Sequence, residues 1–547
     1  MSRPFPCPFP YRQQLPRLFA VESECPVNSW SREAEAEGGL SCVAADDGSA
    51  LVLGVYPEDE FSGGTVCLTK AAALFNHNVN GKLVELLKAS GPLPKLGEIR
   101  VFPKVEPVFS VVAVVGLGEN NSGYSKTEQR DESKENIRKA VGLATRYFQS
   151  LNVQKIFVDS FEDPESTAEG AYMALWENQL LRAHKNRSVK IPDVQMYGDC
   201  DWKKWRIGLE KAEAQNFARK LMELPANLLT PRSFSHTIVQ NLCKTNVDVC
   251  LRPEAWLREN NMNAFIANVK GSPQPPFLLE MTYNGCDPAV PPIVLIGKGL
   301  TFNSGGLCIK SCEEMKHMRG DMGGAAIVAA TIRALANLGL PINVKGLIPL
   351  GENMPGATAF RPRDIVKSAS GKSILISPRD FNGTLMLADT LCYAQQFNPK
   401  YVLTLATMTK EIQTSFDLST NAVYTQNEHL WQLLKTASIH TGDRLWKLPL
   451  WNMFEREVKD FTCADLSVLS KYFRRGIPAT TTALLNQFTC KPNWAFIDSF
   501  GTMHEDGKTT YLKKGMSGRP TRTVIEFLGQ MAYPPNEALD QRGDIKE

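Results

Sequence analysis

The sequence has neither a long apolar run nor an excess of charge of one sign. Its longest predominantly apolar run, residues 108–115, is far shorter than the roughly 20 residues that a helix needs to span a bilayer. Its 61 basic side chains nearly balance its 58 acidic ones, which leaves a formal net charge of +3. We therefore expect no membrane span and no overall field that would attract nucleic acid or a membrane surface.

Several short motifs that would define a chemistry are also missing. The 13 cysteines include no C-x-x-C pair, and their odd number favours free thiols in a reducing compartment over a disulfide framework. Neither H-E-x-x-H nor G-x-S-x-G occurs. Gly116-Leu117-Gly118 follows an apolar strand, but Asn121 stands where a dinucleotide-binding loop needs its third glycine. A plain turn is the favoured interpretation there.

The length and composition of the chain predict a folded protein of two domains. It has 547 residues, of which 43% are hydrophobic and 22% are charged. A helical pattern from Trp202 to Met222 is stopped by Pro225 and separates two regions. We predict a proline-rich tail, an amino-terminal α/β domain and a larger second domain, which cover residues 1–35, 36–205 and 206–540.

The tail leaves two alternatives open. Arg3, Arg12 and Arg17, with no acidic residue among the first 20, give it the charge of a mitochondrial transit peptide. Five prolines in the same stretch oppose the amphipathic helix of such peptides and favour an extended tail. The chain is predicted to be intracellular, either imported into mitochondria or cytoplasmic with a tail that docks on a partner.

The second region repeats the order strand, loop, helix. Strands predicted at 292–297, 342–350, 374–377 and 401–406 alternate with helices at 323–338 and 384–396. Because these strands are apolar on both faces and alternate with helices, we predict an α/β fold with helices on each side of the sheet. We expect the central sheet to be mixed. Ligands in such folds bind beyond the carboxyl ends of the strands.

Polar residues stand at the points where such a ligand would bind. Lys298, Asn303 and Lys310 follow the strand 292–297, and Asp321 and Asp380 each precede a predicted helix. Each residue also has a purely structural alternative. An aspartate before a helix is a common N-cap, and a lysine at a strand end can reach solvent. Taken singly, these residues do not decide between the two interpretations.

Three longer segments together resemble the leucyl (cytosol) aminopeptidase family. They are Gly297–Gly306, Met318–Ala325 and Lys514–Arg522, in the order that the family has them. The resemblance covers roughly 207–530 and, more weakly, the first region, and it extends to the diverged sperm leucyl aminopeptidases of insects. It implies a catalytic carboxyl-terminal domain with two divalent ions, usually zinc or manganese, a peptide ligand, and a homohexamer.

The resemblance also implies a role for seven positions. Two match catalytic positions of the family, namely Lys310 and Thr384. Five match its metal ligands, namely Lys298, Asn303, Asp321, Asp380 and Asn382.

Three of these positions depart from the family pattern. Asn303 and Asn382 replace an aspartate and a glutamate, so that only Asp321 and Asp380 remain of the four carboxylates that balance two divalent ions. An amide can ligate a hard cation but brings no charge, so metal binding is expected to be weak or lost. Thr384 replaces the arginine that holds the bicarbonate base, and it supplies neither a charge nor a bidentate fork.

A fourth departure concerns the cleft. Lys410 stands where the family has glycine near the substrate backbone, and its long side chain is expected to obstruct the cleft.

Two hypotheses follow for the function. The first is a catalytically inactive structural hexamer, a pseudoenzyme that keeps the aminopeptidase scaffold. The second is a weak or single-metal aminopeptidase, which the joint survival of Lys298, Lys310, Asp321 and Asp380 supports.

Overall fold

The computed structural model describes residues 48–57, 66–120, 122–179, 181–187, 191–199, 201–376, 383–468, 476–489 and 492–534. The predicted tail and three residues discussed above, Asn121, Asp380 and Asn382, lie outside these ranges. Among the described helices, none combines the length and the apolar character that crossing a bilayer requires.

The amino-terminal region is built around a six-stranded sheet. Its strands and helices are β1 (Ser49–Tyr56), β2 (Cys67–Leu68), α1 (Lys70–Asn78), α2 (Lys82–Ala89), β3 (Ile99–Pro103), β4 (Val111–Gly116), β5 (Tyr124–Ser125), β6 (Arg130–Asp131), α3 (Glu132–Ser150), β7 (Lys155–Asp159), α4 (Pro164–Leu175), β8 (Asp193–Tyr197) and α5 (Trp202–Glu223). The strand order is β3-β4-β1-β7-β8, with β2 beside β1, and strands β4, β1, β7 and β8 are parallel.

The carboxyl-terminal region contains the larger sheet. Its elements are α6 (Pro231–Leu242), β9 (Val247–Pro253), α7 (Glu254–Glu259), α8 (Asn263–Val269), β10 (Phe277–Asn284), β11 (Ile293–Gly297), β12 (Gly299–Asn303), α9 (Cys312–Met315), α10 (Gly323–Leu338), β13 (Asn343–Asn353), β14 (Ile365–Lys367), β15 (Ser373–Leu375), α11 (Gly383–Ala394), β16 (Tyr401–Ala406), α12 (Lys410–Phe416), β17 (Asn421–Thr425), α13 (Glu428–Thr441), β18 (Leu445–Lys447), α14 (Asn452–Val458), β19 (Lys459–Phe461), β20 (Ala464–Ser467), α15 (Ile477–Leu485), β21 (Trp494–Asp498), β22 (His504–Glu505), β23 (Gly515–Met516) and α16 (Thr521–Ala532).

The nine-stranded central sheet is mixed, as the sequence predicts. Its order is β18-β17-β21-β16-β11-β13-β10-β9, with β12 beside β13. The neighbouring strands β13, β11, β16 and β21 are parallel. The pairs β9–β10, β10–β13 and β17–β21 are antiparallel. Helices α10 and α11 pack on this sheet with most of their residues buried. The prediction of a two-domain α/β fold is confirmed.

Two local predictions differ from the structure. The strand predicted at 374–377 is Ser373–Leu375 and belongs to a separate four-stranded sheet, β14-β15-β20-β19, and not to the central sheet. The apolar run 108–115, predicted as the strand before Gly116, is a strand only from Val111 on, and Phe109 packs against the rings of Phe157 and Tyr197.

The predicted connecting helix is α5, and it joins the two regions. It packs against α4 on one side and against α10 and α16 on the other. Its long side chains are buried along much of its length, including those of Lys211 and Arg219. Because α5 contacts other helices on several sides, its buried residues are not confined to one face.

Candidate active site

The predicted site lies at the carboxyl ends of the parallel strands β11 and β16. Lys298 directly follows β11, and its backbone N–H donates to the carbonyl of Leu405 at 3.0 Å. Gly297 and Gly324 permit the close approach of β11, α10 and β16, because a Cβ at Gly324 would lie 2.0 Å from the Leu405 oxygen. The backbone thereby fixes the point from which the Lys298 side chain enters the buried interior.

Lys298 and Asp321 form a buried ion pair. The Nζ–Oδ1 distance is 2.8 Å and both side chains are 3% exposed. Lys298 Nζ also donates to the Thr407 carbonyl at 3.0 Å, and the Thr407 hydroxyl donates to Asp321 Oδ1 at 2.9 Å. The N-cap of α10 is Met322, with no side-chain cap. The alternative that Asp321 is retained as an N-cap is therefore wrong, because its carboxylate is used by Lys298 and Thr407.

Asn303 completes the contacts of this carboxylate. Its Nδ2 donates to Asp321 Oδ2 at 2.8 Å. Its Oδ1 accepts from the backbone N–H of Gly305 at 3.0 Å and from Asn353 Nδ2 at 2.9 Å. Because N–H donors already face the Asn303 oxygen, the amide nitrogen is the end that faces Asp321.

Asn353 was not among the residues singled out from the sequence. It is the last residue of β13, where β12 pairs in parallel with β13 so that Asn303 lies opposite Asn353. The signal that could have found it is the pairing of two apolar strands that both end in a polar residue.

The described donor set does not fit the two divalent ions that the resemblance implies. Asp321 is its one carboxylate, and both oxygens accept hydrogen bonds, from Lys298, Thr407 and Asn303. A divalent ion needs lone pairs, whereas Asn303 presents N–H groups and Lys298 an ammonium to this carboxylate. The predicted ligands Asp380 and Asn382 lie outside the described residues, so their roles stay predictions.

The two predicted catalytic residues lie near this ion pair. Lys310 is partly buried, and its backbone N–H donates to the Ser304 carbonyl at 2.8 Å. Burial lowers the pKa of Lys310, an effect that Asp321 opposes and Lys298 reinforces. Thr384 is buried at the start of α11 with its hydroxyl 3.9 Å from the sulfur of Met408, and its side chain carries no charge. Their catalytic roles stay predictions.

A cleft of about 780 Å³ opens beside these residues. Its lining combines an apolar part with a rim that carries both signs of charge. The apolar side chains include Met318, Met408, Phe500 and Met503, and the ionisable ones include Lys310, Glu314, His317, Lys410 and His504. Such a lining suits a ligand that has an apolar side chain and charged or polar ends.

A buried carboxylate organises the floor of this cleft. Asp498, at the end of β21, accepts backbone N–H bonds from Met408 and Thr409 at 3.0 Å and from Phe500 at 3.1 Å. Burial raises its pKa to about 6, although these bonds and the Thr409 hydroxyl act in the opposite direction. Asp498 therefore holds the segment after β16 against the segment after β21, a role that sequence reasoning missed.

Lys410 lies at the mouth of the cleft. Its Nζ is 2.8 Å from Glu314 Oε1, and the two side chains are 57% and 38% exposed. The hydrogen bond from Lys410 lowers the pKa of Glu314. Lys410 is thus part of the cleft lining, and the expectation that it obstructs the cleft stays a prediction.

A second group of ionisable side chains lies away from the cleft. Carboxylate and imidazole atoms of Glu165, His440 and Glu526 come within 4.8 Å of one another. The ammonium of Lys211 contacts both carboxylates, with Nζ 2.5 Å from Glu526 Oε2. Because this group already holds a cation of the chain itself, its spacing is explained without a metal.

Comparisons with known proteins cover most of the chain. The model of the cytosol aminopeptidase family, catalytic domain, matches residues 216–525, and the model of the N-terminal domain of that family matches residues 52–185. The chain is 41% identical over 494 residues to the cytosol aminopeptidase of Homo sapiens, which covers 90% of this chain and 94% of that protein. It is 42% identical over 488 residues to that of Bos taurus, which covers 89% and 93%.

Solved structures give the same result at lower identity. The bottromycin maturation enzyme BotP aligns with a TM-score of 0.75 and 27% identity, over 89% of this chain and 100% of that one. A second structure of BotP, in complex with Mn, aligns equally well.

Proposed function

The chain belongs to the cytosol aminopeptidase family, and from this premise we propose that it is a peptide-binding homologue that hydrolyses peptides very slowly or not at all. The proposal combines a cleft of the size and polarity that a short peptide end requires with a centre that does not suit two divalent ions. The proposed loss of activity concerns this chain and not its relatives, which are named as aminopeptidases.

One observation carries the proposal. Both oxygens of Asp321 accept hydrogen bonds from Lys298, Thr407 and Asn303, so no described carboxylate at the centre is left for a divalent ion. Removing groups that only support metal ligands already lowers affinity or activity by about 10- to 100-fold. The replacement of two ligand carboxylates by amides should have a larger effect.

The neutral residue at Thr384 supports the same conclusion. General base catalysis typically accelerates a reaction by about 10² to 10⁴-fold. In the family an arginine at the position of Thr384 holds the bicarbonate base, and a threonine cannot supply the positive charge that this anion needs. The side chain of Thr384 is buried against Met408 and reaches no cation in the described residues.

A weak aminopeptidase is the second candidate, and the comparisons favour it. Identity of 41–42% over about nine-tenths of the chain links it to proteins named cytosol aminopeptidase. Lys298, Lys310 and Asp321 are present, and an amide oxygen can ligate manganese or magnesium. This candidate requires the amide of Asn303 to turn its oxygen toward the metal.

Assembly and location stay predictions. The homohexamer and a structural role, including one in sperm, rest on the resemblance, and an intracellular place for the chain rests on its cysteines and its tail. The proposed domains 36–205 and 206–540 are supported by the family matches at 52–185 and 216–525.

Hydrolysis of leucine amide in the presence of manganese or zinc tests the proposed function. We expect no turnover by the wild type, slight turnover after Asn303→Asp with Asn382→Glu, and clear turnover only when Thr384→Arg is added. The gains should be strongly non-additive, because the base acts only after metal is bound. Wild-type turnover near that of the triple variant, abolished by Asp321→Ala, would establish the second candidate instead.

A further inference from the structure

We infer that Asn303 and Asn353 form an amide clamp that takes the structural place of the bound ions, so that the folded chain is stable without divalent metal. The inference deepens the proposed function and rests on it. It concerns the stability of the centre and assigns to both asparagines a positioning role that acts through Asp321.

The amide clamp is anchored at both ends. At one end, Asn303 donates to Asp321 Oδ2 at 2.8 Å. At the other end, the Asn353 carbonyl accepts from the N–H and the hydroxyl of Ser304, at 2.9 and 2.8 Å. The Asn353 side chain links the two ends by donating to Asn303 Oδ1 at 2.9 Å.

The surroundings leave the amide clamp little freedom to rearrange. Asn303 is 4% exposed, Asn353 is 1% exposed and Asp321 is 2% exposed. A Cβ at Gly306 would lie 2.9 Å from Asn353 Oδ1, so the loop after β12 packs directly on the clamp. Turning the Asn303 amide would set its oxygen against Asp321 and its N–H groups against two other donors, which is unfavourable in a buried site.

Among the described residues in contact at the centre, the charges balance without an ion. Lys298 and Asp321 form one buried pair, and the remaining acceptor capacity of Asp321 is met by neutral donors. An aspartate at position 303 would place a second carboxylate at the distance where Asn303 now donates. Two carboxylates in contact cannot both stay ionised without a cation between them. The amide at this position is therefore what makes a metal unnecessary.

Thermal unfolding of the full chain tests the inference. The wild type, Asn303→Asp and the control Asn284→Asp are compared in excess chelator and in manganese at a fixed scan rate. Asn284 is an exposed residue at the end of β10, so its variant adds the same charge away from the centre. For the wild type, and likewise for the control, we expect the unfolding midpoints in chelator and in manganese to agree within about 1 °C.

The Asn303→Asp variant should behave differently. In chelator its midpoint should fall by about 5 °C or more, and manganese should restore most of that loss. A wild type that loses several degrees in chelator and regains them in manganese would overturn the inference. An Asn303→Asp variant that keeps the wild-type midpoint in chelator would overturn it as well.

A second variant protects the test against misfolding of the first. Asn353→Ala removes one donor from Asn303 Oδ1 without adding charge, so its midpoint should fall by similar amounts in chelator and in manganese. A full recovery of Asn353→Ala in manganese, or an unchanged midpoint, would overturn the inference.

Assays of leucine amide hydrolysis on the same samples separate this inference from the proposed function. Wild-type turnover with a metal-independent midpoint would refute the proposed function and support the amide clamp. An inactive wild type with a metal-dependent midpoint would refute the amide clamp and leave the proposed function standing.

Discussion

Two buried polar groups of this chain use charge in opposite ways. The ionic cluster between the two regions consists of full charges, namely Arg138, Glu165, Glu169, Lys211, Asp443 and Arg522. In the part of the cleft centre that the structure describes, Lys298 and Asp321 form one ion pair, which amides and a hydroxyl complete. Both groups are almost inaccessible to solvent, so burial alone does not explain the difference.

The difference is explained by where the counter-charges come from. In the ionic cluster, Glu169 Oε2 is 2.6 Å from both Arg138 and Arg522, so the chain supplies every cation itself. At the cleft centre, further carboxylates would need ions from solution. A buried charge is destabilising unless an oppositely charged partner is always present beside it. We therefore expect the ionic cluster to be sensitive to loss of charge and the cleft centre to be sensitive to gain of charge.

Removing Arg522 should have the largest effect. Its guanidinium pairs with Glu169 at 2.6 Å and with Asp443 at 3.1 Å, and its side chain is fully buried. Arg522→Met leaves these carboxylates with fewer partners, and breaking a buried pair in this way costs about 3–5 kcal/mol. Urea unfolding measures the loss. The control Arg258→Met removes an exposed pair with Glu254 and should change stability by less than about 1 kcal/mol.

Removing Lys211 should have the next largest effect and should create a cation site. Burial alone would raise the pKa of Glu165, but Lys211 and His440 hold it well below its usual range. In Lys211→Met, Glu165 and Glu526 face each other beside His440, so we expect a loss of about 3 kcal/mol. Added zinc should recover part of the loss in this variant and none in the wild type. No response to zinc would show that the place of the ammonium is not suited to a divalent cation.

The fold followed from the sequence further than the site did. Apolar strands 293–297 and 401–406 and helix 323–338 were recognisable because their patterns are local, and the alternation of strand and helix predicts the sheet between helices. The sequence predicted a strand near 373–375 but not the sheet to which it belongs, because its pairing with β20 depends on residues far along the chain.

The site was predictable only where a motif carried it. The resemblance pointed to Lys298, Asn303 and Asp321, and the structure brings them into contact. The sequence could not separate a capping role of Asp321 from a role at the site, because both place an aspartate before a helix. Asn353 lies 50 residues from Asn303, and no local pattern marks a hydrogen bond over that separation. Asp498 escaped notice for the same reason.

The pH dependence of stability should differ in sign between the cleft floor and the ionic cluster. Asp498, on the cleft floor, has a pKa of about 6 when folded against an ordinary value of 3.8, so the folded state holds a proton longer. Its contribution is present at low pH and is lost as the pH rises through 6. Glu165 has a lowered pKa, so its contribution is present above about 4.5 and is lost as the pH falls.

Asp498→Asn isolates the cleft-floor part of this dependence. Relative to the wild type, its free energy of unfolding should rise by about 1 kcal/mol between pH 5 and pH 7. The comparison uses only the slope, because the amide also loses one acceptor oxygen at every pH. Urea unfolding at several pH values measures it, and a difference that stays constant over this range would contradict the raised pKa.

The smallest effect on stability is expected at the mouth of the cleft. Lys410 and Glu314 form an exposed pair, and such pairs contribute about 0–1 kcal/mol. Lys410 is also the first residue of α12, where a positive charge is unfavourable, so part of this contribution is already offset. Lys410→Ala should therefore leave the free energy of unfolding nearly unchanged, in contrast to Arg522→Met and Lys211→Met.

The same variant decides whether Lys410 obstructs the cleft, because Cys308 lines it and reports on access. Alkylation of Cys308, followed by mass spectrometry of its peptide, should be faster in Lys410→Ala. A faster reaction than in a control that loses a comparable charge indicates a more open cleft. The control Lys316→Ala removes another cation of the lining, and the exposed Cys243 gives the background rate. If Cys308 reacts no faster in Lys410→Ala than in Lys316→Ala, the side chain of Lys410 lies in the lining without closing it.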